Sequence, residues 1–498
     1  MRSKRRILCL LRVLLFALLL TALFRFAGRL LSGGTEDPLN HAGEGMYQQL
    51  PGTVEAVFVG PSHVYSSVIP QRIYDQTGIT AYNFSSSAQS FRSTYWAMVE
   101  AIRVQHPKAV FVDLCVATAD DSTRQAASYY TALERMLTPF SLTKWQAFFD
   151  LRASEQRNLQ QATVFTDTSA QEIDWTDYFR LTAFHTQRTI NRESFAFACG
   201  QDFYSYSRGY NPRFSTVDVS SFVQKSADGA ALSEENAATL QDMIRYAKKT
   251  GTQLVFTVMP YYATERDLAI LAQAEQLAEE SGAAVLDFNT LAITEKPADF
   301  ADLSHTNYSG ACKISDYLAG WLQQNLTDAQ DHRGGWLYRS WDAAAGCYDS
   351  WQIAMGLLPA ETDAQAYCRQ AAQLDSEYLV LAVQAGTGTG ALSAAQTAQL
   401  AALGLAPAAG TQGYSAALCG GKLYREGGED LAASLWSYKL LLDGQENGAL
   451  TSIDRWNCTA QGSGIQITVL DRRTGSICDS VLLGEDGSVQ HLVPVETD

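Results

Sequence analysis

The stretch Val54-Glu55-Ala56-Val57-Phe58-Val59-Gly60-Pro61-Ser62-His63 decides how the chain is read. Ala56 to Val59 is a short apolar run of the kind buried strands use, and Gly60-Pro61 stops it abruptly. Ser62 then stands just beyond the strand's carboxyl end, the edge at which ligands bind in an open α/β sheet. A strand followed by Gly-Pro-Ser is also an ordinary turn, so the rest of the chain has to decide whether Ser62 is a nucleophile.

Downstream of Ser62, residues 71–76 predict a short helix ending at Gly78, and Ile79 to Phe84 a second strand. Thr94 to Gln105 places Trp96, Val99, Ile102 and Val104 at helical spacing, and Ala109 to Leu114 is a third strand. Strand, helix and strand of these lengths form a βαβ unit and hence a parallel sheet. The alternation returns with a helix over 233–249, a strand over 253–259, a helix over 265–281, a strand over 284–287 and an amphipathic helix over 309–322. Between the halves, residues 118–224 are aromatic-rich without βα alternation and predict a cap inserted over the serine side of the sheet.

Just before the last of these helices stands Ala301-Asp302-Leu303-Ser304-His305-Thr306-Asn307. A serine hydroxyl attacks poorly unless a base removes its proton, and histidine does so near neutral pH. The imidazole in turn needs a carboxylate to fix its tautomer, and Asp302 and His305 can supply both from one turn. A helix-leading turn with a surface Asp and a satisfied His is the plainer reading of that tetrapeptide alone. Ser62 after the first strand and Asp302-x-x-His305 after the last one, however, meet at the same edge of a doubly wound sheet.

The chain has 498 residues, which implies two or three domains, and its 46% apolar and 11% aromatic content is that of a well-packed globular protein. A formal charge of −16 argues against nucleic acid, whose phosphates need a basic face. The nine cysteines are scattered, with no C-x-x-C pair or Cys/His cluster, so no metal site is expected and no cofactor is called for. Cys347, Cys368, Cys419, Cys458 and Cys478 could hold disulfides in an exported protein or remain buried thiols.

The N-terminus carries a basic cap, Met1 to Arg6, followed by the apolar run Ile7 to Phe24, about as long as a minimal membrane span. Arg12 lies where it can snorkel, and the charge bias puts the N-terminus inside and the body outside. A cleaved signal peptide competes with an uncleaved anchor; the absence of an A-x-A site and the flanking Arg25 and Arg29 favour the anchor. The expected organisation is an anchor at 1–31, a linker at 32–52, a catalytic-type domain at 53–325, a second linker at 326–339 and a β-rich domain at 340–498. In the last, residues 378–384, 413–419 and 465–470 read as strands, 392–404 contains a helix, and 471–475 and 485–487 carry turn signals.

Over residues 53–325 this order of motifs resembles the SGNH hydrolase superfamily, with its serine in the first block and D-x-x-H in the last. It looks closest to the membrane-anchored branch of DltD-type D-alanyl transfer proteins and alginate O-acetyltransferase-like proteins. The shared pieces are Gly60-Pro-Ser-His63, Ala81-Tyr-Asn-Phe84 with Ala88-Gln89, His106-Pro-Lys-Ala-Val-Phe-Val-Asp113, and Asp302-Leu-Ser-His305 followed by Asn307, Gly310-Ala311 and Lys313. The resemblance implies a three-layer α/β/α, flavodoxin-like parallel sheet with a helical cap. It also implies Ser62 as nucleophile, His305 as general base and Asp302 as its orienting partner. The backbone N–H groups of Ser62 and Ala88 would form the oxyanion hole. The chain departs from the family after the third strand, where Gly-x-Asn-Asp is usual and Cys115-Val-Ala-Thr-Ala-Asp120 stands instead. Asn83 is the nearest substitute donor, although an asparagine there can equally satisfy its own loop. His63, Gln89, Tyr178, His185 and Arg188 are further substrate-contact candidates, each with packing as the alternative, and Asp113 caps a loop or faces the cleft. The C-terminal order resembles an interleukin-like EMT inducer domain and implies a β-sandwich. The resemblance points to a serine esterase or O-acyltransferase acting on acyl esters of a cell-envelope glycan, with a membrane acyltransferase partner in the transfer case. The rival expectation is a catalytically weak or inactive glycan-binding or assembly protein.

Overall fold

Residues that are apolar on both sides of a strand can be satisfied only by cover on both faces, and the first strands of this chain are of that kind. The computed structural model describes residues 2–32, 43, 45–87, 89–119, 133, 136–137, 141–161, 195, 199, 207–326, 328–386, 390–426, 440–443, 450–453, 456–458, 460, 462–472 and 477–496. The chain divides into two compact units, Met1–Thr189 with Tyr204–Ala344, and Ile190–Phe203 with Ala345–Asp498.

A first helix, α1 (Arg2–Ser32), carries the apolar run and exposes Leu10, Leu11, Val13, Leu14, Leu15 and Phe16. Among the described residues no helix is long and apolar enough to cross a membrane. The sheet of the first unit begins with β1 (Ala56–Gly60), followed by α2 (Ser62–Ser67), α3 (Pro70–Thr77) and β2 (Ala81–Ser85). Then come α4 (Phe91–Gln105), β3 (Ala109–Asp113), α5 (Leu142–Gln161), α6 (Glu234–Thr250) and β4 (Gln253–Val258). Helix α7 (Glu265–Glu280), β5 (Ala284–Asp287) and α8 (Tyr308–Asn325) complete the series.

The strands run parallel in the order β2-β1-β3-β4-β5. All residues of β1, β2 and β3 are buried, and the rings of Phe58 and Phe111 stack across the β1–β3 pair with centroids 4.4 Å apart. The order reverses between β1 and β3, and the crevice beyond the carboxyl ends of those two strands is the topological switch point where ligands of such sheets bind. The helices start where local chemistry starts them. Ser90 and Ser233 cap α4 and α6, Thr264 and Asp267 form a reciprocal capping box on α7, and Asn307 caps α8.

Of the cap expected over 118–224, the described part includes α5, which is tied to α4 by Asp150: its carboxylate accepts from Arg92 Nε at 2.6 Å and Trp96 Nε1 at 2.8 Å. It also includes the irregular run from 207 that carries Arg213. The linker expected over 326–339 does not behave as one. Leu326 and, just past this stretch, Trp341 are buried in the first unit's core, and Gln71 donates to the Trp341 carbonyl at 3.0 Å, while Trp336 and Leu337 remain exposed.

In the second unit the ordered elements are α9 (Arg339–Gln352, which begins in the first unit), α10 (Ala364–Ala371), β6 (Tyr378–Ala385), α11 (Ala394–Ala402), β7 (Ser415–Cys419) and β8 (Lys422–Glu426). There follow β9 (Leu440–Asp443), β10 (Leu450–Ile453), β11 (Trp456–Asn457), β12 (Gly464–Asp471), β13 (Ile477–Leu483), β14 (Val489–His491) and β15 (Val495–Glu496). They form a six-stranded antiparallel sheet, β14-β13-β12-β6-β7-β8, and a four-stranded one, β15-β11-β10-β9. Successive residues of β6 serve two cores: Val380 and Ala382 pack with Tyr367, Cys368 and Leu400 of the helices, and Leu379, Leu381 and Val383 with Leu470 and Leu482. The unit is β-rich as expected, with helices covering one face of its larger sheet. Cys368, Cys419, Cys458 and Cys478 are free thiols, and the side chain of Cys347 lies outside the described residues.

Candidate active site

Gly60 ends β1 where only glycine fits. A Cβ there would come within 2.7 Å of Val64 Cγ2 and 2.8 Å of Asp113 Cβ, at a φ of +156°. The close approach lets α2 start at once, with Pro61 at its N-cap and half-buried Ser62 as its first residue, beside the end of β3.

The second half of the site comes from the loop before α8. Asp302 Oδ1 accepts the backbone N–H groups of Ser304 at 2.8 Å and His305 at 2.9 Å, so the carboxylate is locked to its own turn. Both its oxygens lie 2.8 Å from His305 Nδ1. A carboxylate can only accept, so Nδ1 carries the proton and Nε2 keeps its lone pair. Nε2 is buried and has no hydrogen-bond partner. Burial holds the His305 imidazolium down, to a pKa of about 4, against the opposing pull of Asp302; Arg213 adds to the depression. Asp302 itself is penalised by burial, yet the hydrogen bonds from His305 and the Ser304 N–H, with Arg213 nearby, bring its pKa below the usual carboxylate value. The imidazole is therefore neutral at physiological pH, with the Nε2 lone pair free.

Several bonds hold this loop against α2. Thr306 Oγ1 donates to the Ser66 carbonyl at 3.1 Å and lies 3.0 Å from Ser67 Oγ. Arg213 spans the two pieces, with Nε 3.3 Å from Ser66 Oγ and Nη1 3.5 Å from Asp302 Oδ2. Its own segment is laid over the loop by Val217 N–H to Phe300 O and Tyr308 N–H to Arg213 O. Behind the loop, Asp299, 1% exposed, accepts from Lys313 at 2.6 Å, Ser309 at 2.7 Å and the Glu295 N–H at 2.7 Å. The ring of His63, next to Ser62, comes to 5.7 Å from that of His305, so the serine turn and the Asp–His turn share one corner of the fold.

On its other side His63 stacks on Tyr261, with centroids 5.3 Å apart, and points Nδ1 at Asp113 Oδ2, 3.6 Å away. Asp113 is fully buried; its Oδ1 accepts the Met259 N–H at 3.1 Å. Cys115 Sγ donates to the Met259 carbonyl at 3.3 Å, and burial, with Asp113 adding to it, pushes this thiol well above its usual pKa. No metal site was expected from the spacing of the cysteines and histidines, but the fold gathers one donor atom each from His63, Asp113 and Cys115 within 4.8 Å of one another.

The remaining expected residues lie elsewhere or outside the described part. Asn83 is fully buried in β2 and spends its Nδ2 donor on the Val68 carbonyl at 2.7 Å, which ties the α2–α3 connection to the sheet. Gln89 is also fully buried; its Nε2 lies 3.1 Å from Met136 Sδ and its Oε1 accepts from Thr94. Ala88, Tyr178, His185 and Arg188 lie outside the described residues. Sequence reasoning missed Arg213, Tyr261 and Asp299. Arg213 sits in an irregular segment with no period to read, Tyr261 follows the Pro260 that closes β4, and Asp299 shows only as one more acidic residue before the Asp302 turn. No protein-family model and no curated protein matches the chain.

Proposed function

We propose that this chain is a membrane-anchored, extracytoplasmic serine esterase or O-acyltransferase of the SGNH hydrolase type, acting on acyl, chiefly acetyl, esters of a cell-surface polysaccharide. The observation that carries the reading is the Asp302–His305 pair, with a neutral imidazole whose buried Nε2 is left without a partner at the corner that also bears Ser62. In this reading Ser62 Oγ attacks the ester carbonyl while His305 Nε2 takes its proton. The tetrahedral intermediate then expels the sugar oxygen, which receives the proton from His305, and the acyl group stays on Ser62. Water or a second sugar hydroxyl, deprotonated by the same imidazole, attacks the acyl-serine and frees the enzyme. Hydrolysis needs nothing more, whereas transfer needs an acyl donor delivered across the membrane and hence a membrane acyltransferase partner. In this reading the anchor is the apolar run of α1, exposed around the helix from Leu10 to Leu20, and the β-rich second unit would hold the glycan.

One observation favours the rival reading of a glycan-binding or assembly protein with weak or no turnover. The Asn83 amide is fully buried with one N–H bound to Val68, so it presents no donor to a solvent-reached oxyanion, and loss of one such donor costs about 2.7–4 kcal/mol. The test is the full chain in detergent, assayed with a chromogenic acetyl ester and a fluorophosphonate probe beside Ser62→Ala. Turnover and labelling that vanish in the variant support the enzyme. Neither signal in the wild type removes the serine reading, and adding a glycan acceptor then sorts transfer from hydrolysis.

A further inference from the structure

Asp113 presents a problem that its neighbours do not solve. It is fully buried, Oδ1 is satisfied by the Met259 N–H, and Oδ2 has no hydrogen bond at all. The atom nearest to an answer, His63 Nδ1, is likewise buried and without a hydrogen bond, and the 3.6 Å between them is too long for one. A buried carboxylate oxygen without a hydrogen bond of its own is costly, and a cation held between these groups would relieve that cost. The spacing says which. Two ligands each about 2.0–2.1 Å from a tetrahedral ion stand roughly 3.4 Å apart, close to the His63–Asp113 separation. Cys115 Sγ completes a set whose donor atoms all lie within 4.8 Å.

We propose that His63 Nδ1, Asp113 Oδ2 and Cys115 Sγ form a binding site for a zinc-class divalent metal ion, with the fourth position left to water. Imidazole, carboxylate and thiolate together select zinc or its close neighbours over magnesium or calcium, which take oxygen donors. Three protein ligands with one open position is the pattern of a reactive rather than a purely structural site. Binding replaces the thiol proton of Cys115, which leaves to solvent as the sulfur–metal bond forms, so one proton is released per ion. The ion's charge overcomes the burial that keeps the free thiol protonated. Met259 already serves as outer support: its N–H steadies Asp113, and its carbonyl gives up the Cys115 thiol when the sulfur turns to the metal. His63, 16% exposed, is the most exposed of the three ligands, so the open position is on its side, toward His305.

The site stands independently of the esterase reading, and the experiment keeps the two apart. The full chain in detergent is stripped with a chelator and titrated with Co2+, in wild type and in Ser62→Ala alike. The expected result is one equivalent of Co2+ with a thiolate-to-cobalt charge-transfer band and strong tetrahedral visible bands, competed away by Zn2+, and unchanged by Ser62→Ala. Cys115→Ser abolishes the charge-transfer band, and His63→Gln or Asp113→Asn weakens binding more than about 100-fold, since even losing a supporting residue around a metal costs 10–100-fold. A wild-type protein that shows no charge-transfer band overturns the proposal without recourse to any variant. So does a band that persists in a folded Cys115→Ser protein, because the ion then sits on another cysteine.

Discussion

Acidification should weaken the fold through one side chain, His305. Its pKa is about 4 in the folded chain, against an ordinary value near 6.5 once unfolding exposes it. The folded value is the lower one, so the unfolded chain takes up the proton first, and stability present above about pH 6.5 is lost as pH falls toward 4. A gap of about 2.5 units corresponds to roughly 3 kcal/mol in full, of which about 2.5 kcal/mol is gone by about pH 4.5. His305 is 15% exposed, so solvent screening removes little of this. Urea unfolding at neutral pH and near pH 4.5, in wild type and His305→Gln, isolates the effect. The variant loses the Asp302 bond at both pH values, so that loss cancels in the double difference. Asp302 titrates below the window in both states and contributes little to it. The expected outcome is a wild-type protein that loses about 2.5 kcal/mol more than His305→Gln over the interval. Equal losses in the two proteins would refute the claim that burial holds the imidazole neutral.

The other perturbations test the two turns directly. Asp302→Asn removes the acceptor that fixes the Nδ1–H tautomer, so Ser62-dependent hydrolysis should fall by about 10⁴ with little change in the unfolding midpoint, measured by steady-state kinetics beside a urea titration. The His305 resonance in that variant should titrate at still lower pH, because the carboxylate that raises it is gone. Gly60→Ala forces a Cβ onto Asp113 and Val64 and should cost about 1–3 kcal/mol while slowing fluorophosphonate labelling of Ser62; normal labelling would mean the turn has room that the contacts deny.

The sheet was legible because parallel strands covered on both faces read as unbroken apolar runs, and the runs at 56–59, 109–114 and 253–259 each became a strand within a residue or two. Asp302 and His305 were legible for a different reason: their pairing is local, three residues along one turn, so spacing alone places them together. Asn83 and Gln89 could be placed in order but not aimed. Asn83 lies within β2, where the pleat turns its amide to Val68, and Gln89 packs against Met136, far along the chain. In the second unit β13 escaped notice because Asp479 and Ser480 interrupt its apolar pattern; Ser480 is matched across the sheet by Thr468 at 2.9 Å, a cross-strand pair that no single strand displays.

The His63–Asp113–Cys115 group shows where that boundary falls. By chain position His63 stands fifty residues before Asp113 and Cys115 two after it, and nothing in that spacing resembles a ligand motif. Register brings them together: Val59 pairs with Val112, so the residue after Val59 and the one after Val112 end their strands side by side. The chain then turns at Gly60 and at Leu114, and each turn delivers its side chains into the same crevice. Glycine at 60 is what permits the approach, since its missing Cβ is the space that Asp113 occupies. The same glycine starts the helix that carries Ser62. The serine turn and the three-donor group are therefore two consequences of one close contact between β1 and β3, and a substitution at Gly60 should disturb both Ser62 labelling and Co2+ binding, whereas Ser62→Ala should disturb only the first.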